Sequence, residues 1–146
     1  MSLIDTTMAV FHMLFAGLWV GGTLFFVGIV LPAARAGQMS TDGLKWIAGR
    51  FTTITTASIL LLLITGGHLA GTFYTFEGLA TTGRGHLVVS MVVLWLILAG
   101  LLQVGLRRLR RELGSVTAKV AVEQNLPLFF TAGIVAFALL VVAGLL

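Results

Sequence analysis

The 146-residue chain is 58% hydrophobic and only 10% charged, with a net charge of +4 and a mean hydropathy of +1.09. A soluble domain carries roughly 25% charged residues, so this composition excludes an ordinary water-covered fold. With no cysteine, the chain also excludes disulfides, zinc–thiolate centres and iron–sulfur ligation of its own.

A helix needs about 20 apolar residues to cross the hydrocarbon core. Four runs meet that length without an internal charge: about Thr6 to Leu31, Phe51 to Tyr74, His86 to Leu106 and Leu126 to Leu146. The first does not read as a cleaved secretory signal, because residues 1–7 hold Asp5 and no Lys or Arg, where a basic n-region is required. Pro32 is expected to close it. Residues Thr41 to Ile47, with Lys45 and Trp46, read as a short interfacial helix before the second run. That run is rich in Thr52, Thr53, Thr55, Thr56 and Ser58, whose hydroxyls can bond helix carbonyls or a neighbouring helix. The third is expected to continue past the bilayer through Arg107, Arg108, Arg110 and Arg111 as a basic anchor for anionic headgroups. Pro127, after Asn125, reads as a first-turn proline of the fourth run.

The expected fold class is therefore all-α: a single integral membrane domain over residues 1–146, a four-helix up-down-up-down bundle. Eight of the nine basic residues lie in the first and third connections, and only Arg84 lies in the second. The positive-inside rule makes the first side cytoplasmic and places both termini outside, in a multi-pass cytoplasmic membrane protein. Because the basic residues flank apolar runs, the basic surplus points to membrane lipid and not to nucleic acid. The apolar fourth helix makes a second copy of the chain a candidate partner.

This topology brings the three histidines toward one level near the outer face: His12 and His68 each about six residues inside a span, and His86 at the opening of the third. Ionisable groups within spans are costly and tend to be functional, and neutral imidazole is a ligand for haem iron, copper, nickel and zinc. Haem b is the favoured occupant. His12 and His68 form the axial pair by depth, and His12 with His86 by position across the bundle. Gly17 and Gly67 leave room for a macrocycle, and Arg84 stands at the boundary where propionates would emerge. Copper is the alternative, with Met8 four residues from His12 on the same helix face. No span contains Asp or Glu and no nucleophile–base–acid triad can be assembled, so any enzymatic chemistry belongs to a cofactor.

The stretch His12-Met13-Leu14-Phe15-Ala16-Gly17-Leu18-Trp19-Val20-Gly21-Gly22 resembles the opening helix of copper-resistance protein D (CopD) domains, which carry a histidine and then Trp-Val-Gly-Gly. It is also similar to the HemJ-type protoporphyrinogen oxidases, four-helix proteins with a histidine followed by an aromatic-Ala-Gly stretch. The resemblance runs through Arg50 and Thr65-Gly66-Gly67 to the start of the third span, over about the first 105 residues. The first likeness implies copper uptake. The second implies haem b on His12 and a quinol- or porphyrinogen-linked oxidoreductase. HemJ-type proteins use a lysine where this chain has Gly85-His86-Leu87, which argues against porphyrinogen oxidation and favours a cytochrome-like electron carrier. Its partners would then be a quinone and an outer-face redox protein. The remaining reading is a structural subunit of a membrane complex.

Overall fold

The computed structural model describes residues 2–146 and is all-helical, with no strand among them. The first long helix is α1 (Leu3–Phe25), a π-helical turn (Phe26–Val30) and α2 (Leu31–Arg35), wound continuously. It is followed by α3 (Thr41–Phe73), a short α4 (Phe76–Thr81), α5 (Gly83–Glu112) and α6 (Ala118–Leu145). The four long helices are each long and apolar enough to cross a membrane. α1 packs on α3, α3 on α5, α5 on α6, and α6 returns to α1, so neighbours in sequence are neighbours in space and run antiparallel. The chain is a four-helix, up-down-up-down membrane bundle.

Side chains suited to the task start these helices. Ser2, Ser40, Thr75, Thr82 and Thr117 each accept a hydrogen bond from a backbone N–H of the first turn, satisfying a donor that the helix leaves free. Asp5 completes a capping box by accepting from the Ser2 N–H at 2.9 Å. Gly37, at φ +76°, ends the first long helix in the left-handed conformation that glycine adopts freely. Around it, Gln38 N–H bonds Ala33 O and Gly37 N–H bonds Ala34 O, the Schellman pattern.

Three expected boundaries move. Pro32 does not close the first helix, which continues to Arg35. One turn earlier the backbone widens into the π turn, with Leu31 N–H bonded to Phe26 O. A π turn is a recognised way to reset the ladder, here next to a residue that cannot donate. The expected interfacial helix at Thr41 is continuous with the second span, so Lys45 and Arg50 lie on α3, with the Arg50 guanidinium 5.3 Å from the centre of the exposed Trp46 ring. α6 begins at Ala118, which puts Pro127 inside the helix and not in its first turn. Its missing N–H leaves the Glu123 carbonyl without its usual donor.

The core lies toward one end. Buried apolar residues run from Trp19 to Ala34, from Leu44 to Leu62, from Leu98 to Leu113 and from Ala118 to Leu139. This half also holds Arg35, Lys45, Arg50, Arg107, Arg108, Arg110, Arg111 and Lys119, and is called the arginine end. Its centre is an aromatic cluster: the Phe26 ring stacks on Phe51 at 5.0 Å and meets Phe129 at 5.6 Å. Small residues bring α6 close to its neighbours. At Gly105 an added Cβ would lie 2.6 Å from Leu128 Cδ2, and at Gly133 it would lie 3.2 Å from Val27 Cγ1. Close backbone approach of this kind is how helices associate where lipid removes the hydrophobic driving force. At the opposite, histidine end, none of residues 2–18 is buried.

Candidate functional site

Two contacts set the register of α1 against α3. His12 Nδ1 lies 3.0 Å from Thr65 Oγ1, and Phe26 stacks on Phe51. Fourteen residues separate the two contacts on each helix, with Trp19 and Ser58 midway at seven residues from either. Seven residues are two turns, about 10.5 Å of rise. The seam therefore reads His12 against Thr65, Trp19 against Ser58 and Phe26 against Phe51.

The uppermost rung fixes the chemistry of His12. The Thr65 hydroxyl donates its one proton to Leu61 O at 2.7 Å, so toward the imidazole its oxygen can only accept. His12 Nδ1–H must then be the donor, and Nε2 carries the lone pair. This is the tautomer of a metal-ligating histidine, whose second ring nitrogen is held by a hydrogen bond. Gly66 makes the position: a Cβ there would sit 3.1 Å from His12 Cε1 and 3.5 Å from Nδ1. The ring itself is half-buried.

The other two histidines are engaged differently. His68 Nε2–H donates to Asp5 Oδ1 at 3.0 Å; the carboxylate side chain is 13% exposed and the imidazole 33%. By the register of the seam, His68 lies three residues, about 4.5 Å, nearer the helix end than the level of His12, where equal depth was expected. His86 is exposed and its Nε2–H donates to Ala80 O at 2.8 Å, tying α5 to the last turn of α4. Gly85 beside it is the close-packing glycine of this end, because an added Cβ would collide with the backbone of Gly78 and Leu79.

The remaining expected residues spread around this end. Met8 is half-buried on α1. Gly17 and Gly67 are exposed, and nothing lies within 4 Å of a Cβ built at either, so they do not serve helix contact. Arg84 lines an open cleft of about 710 Å³ with Phe73, Tyr74, Thr82 and Gly83, which no histidine lines. Among the described residues no group of three or more His, Cys, Asp or Glu side chains is placed to share a metal ion.

Sequence reasoning missed Thr65 and Asp5 as the partners of His12 and His68. Asp5 had a signal, being an acid just ahead of a span on the histidine side. Thr65 had none, because seven Ser and Thr residues share the second span. It also missed a set of enclosed polar atoms without a protein partner: Trp19 Nε1, Thr55 Oγ1, Ser58 Oγ and Trp95 Nε1. The Gln103–Thr56 bond of 3.2 Å sets α5 against α3. Eight residues outward from each end of that bond, Trp95 falls opposite Ile64, near the level of the His12–Thr65 rung.

Compared with known proteins, the chain matches no protein-family model, no curated protein and no solved structure. What defines it is a four-helix membrane bundle with one preset imidazole nitrogen near one end.

Proposed function

We propose that the chain binds haem b through His12 and acts as a membrane electron carrier. The observation that carries this reading is the pairing of His12 Nδ1 with a Thr65 hydroxyl that itself donates to Leu61 O; it assigns the ring proton to Nδ1 and the lone pair to Nε2. The donor count then favours haem over a bare ion. Copper or zinc needs several protein donors, and no group of three or more His, Cys, Asp or Glu ligands is placed together among the described residues. A haem iron brings four nitrogens with it and asks the chain for one. Bound there, haem would supply one-electron redox chemistry.

The chain's own residues have separate tasks in this reading. His12 supplies the axial nitrogen, Thr65 holds the ring's tautomer and angle, and Gly66 leaves space for the ring. His68 and His86 are second candidates only if their bonds to Asp5 and Ala80 O open. Arg84, exposed at the same end, is suited to a propionate. The concentration of basic residues at the other end supports a cytoplasmic location for that end, with both termini and His12 toward the outer face. Electrons would then be exchanged with a quinone in the bilayer and a redox partner at that face.

The test is an absorption spectrum, oxidised and dithionite-reduced, of protein purified from haem-replete cells, with metal analysis on the same sample. A Soret band is expected in the wild type and in His86→Ala, and none in His12→Ala. Copper bound in a His12- and Met8-dependent manner without a Soret band would replace this reading with copper binding, which the placement of Met8 one turn from His12 allows. Neither haem nor metal would leave a structural role.

A further inference from the structure

The apolar run of α3 carries seven Ser and Thr residues. Five of them, Thr52, Thr53, Thr56, Thr65 and Thr72, donate to the carbonyl four residues back, the usual way a hydroxyl is satisfied in a membrane helix. Thr55 and Ser58 do not. Both are at 0% exposure, and neither oxygen makes a hydrogen bond to a protein group. Across the seam, Trp19 is also at 0% exposure with its Nε1 unpartnered. The register places Trp19 at the level of Ser58, and Thr55 one turn further toward the phenylalanines on the same face of α3.

We propose that the α1–α3 seam binds internal water between Trp19, Ser58 and Thr55. An indole N–H can only donate, whereas a hydroxyl both donates and accepts. The occupant must therefore accept from Trp19 and exchange hydrogen bonds with two hydroxyls. Water does both, and buried waters characteristically satisfy two to four such groups. The enclosure limits its size. All three residues are sealed from solvent, the His12–Thr65 rung closes the seam on one side, and the Phe26–Phe51–Phe129 cluster closes it on the other.

Unpaired polar groups are especially costly in a low-dielectric interior, so a hydrated rung at this depth favours one sliding register of α1 on α3 over its neighbours. That register is the one that sets His12 against Thr65. The water is thus a positioning element for the imidazole. It rests on the seam alone and stands whether the occupant at His12 is haem, copper or nothing.

The test is nuclear magnetic resonance of the full-length protein in nanodiscs with ¹⁵N-labelled indoles. The chain has three tryptophans, and Trp19→Phe identifies the Trp19 signal by its loss. The Trp19 N–H is expected to give a through-space cross-peak to a long-lived water, and Ser58→Ala is expected to shift that resonance and weaken the cross-peak. Trp46, exposed at the arginine end, serves as the freely exchanging control. A Trp19 N–H without a water cross-peak overturns the proposal, as does one whose signal is unchanged in Ser58→Ala. Should Ser58→Ala not fold, the wild-type cross-peak decides alone. The spectrum is recorded without added haem, so failure here leaves the haem reading standing, and absence of a Soret band leaves this one standing.

Discussion

At the arginine end of the bundle, helices meet through fully buried side chains: Phe26, Phe51 and Phe129 interlock, Leu98, Leu102, Leu106 and Leu109 line α5, and alanines and glycines bring α6 close. At the histidine end α1 buries nothing before Trp19, and beside the close approach at Gly85 three single hydrogen bonds join the elements, His12 to Thr65, His68 to Asp5 and His86 to Ala80 O. One half is held mainly by volume, and the other relies more on polar tethers. Packing forces are short-ranged and numerous, so they hold the first half over a wide face. Hydrogen bonds are few and directional, so they fix the angle and register of the groups they join without filling the space between helices.

The largest effect of a single substitution is expected in the packed half. Phe129→Ala should lower the unfolding free energy by about 3–5 kcal/mol, the usual cost of removing a buried aromatic ring. Leu14→Ala, at a position 62% exposed, should change it by less than about 0.5 kcal/mol. Reversible unfolding in mixed micelles measures both, and equal costs would mean that the two halves do not differ in packing.

Next comes the polar lock of the same half. Asn125 is 4% exposed and its amide donates to Glu112 Oε2 at 2.5 Å and to Ala121 O at 2.9 Å, joining the end of α5 to α6. Asn125→Leu should cost about 1.5–3 kcal/mol, because it removes a hydrogen bond to a carboxylate. The same unfolding assay reads it, and Glu112→Gln should recover part of the loss by removing the unpaired charge.

At the histidine end the expected effects fall on affinity more than on stability. Thr65→Val deletes the acceptor of His12 Nδ1–H, and haem titration should show a 10- to 100-fold weaker association, the typical cost of losing a partner behind a ligand. Thr65→Ser should keep most of the affinity. Gly66→Ala, whose Cβ would press on His12 Cε1, should produce a smaller loss by the same titration with little change in unfolding. The smallest effect belongs to the exposed Arg35–Glu123 pair, 3.5 Å apart with side chains 54% and 43% exposed. Glu123→Gln should change stability by less than about 0.5 kcal/mol.

Much of the fold was legible before any coordinates. Four apolar runs of membrane-spanning length became four long helices, joined as neighbours in an all-α bundle, and the basic residues gathered at one end. The errors lay at boundaries. Charged residues such as Lys45 and Lys119 do not break a helix; they only mark where hydrocarbon ends, so apolar runs understate helix length. Proline disfavours helix interiors, which makes Pro32 and Pro127 look terminal; in the fold a π turn lies just ahead of the first and the helix runs on through the second.

The site was legible by place and not by partner. Hydropathy sums along a chain, so the number of long helices and the end of the bundle that carries the histidines follow from local sequence. The pairing of His12 with Thr65 spans 53 residues and depends on how two helices slide and rotate against each other. A shift of one residue would turn Thr65 away from the seam by about 100°. Which hydroxyl meets the imidazole, which nitrogen keeps its lone pair and which polar atoms are enclosed without a protein partner are set by how the helices pack. Those outcomes follow from interhelical register, a property of two faces in contact that neither sequence segment holds by itself.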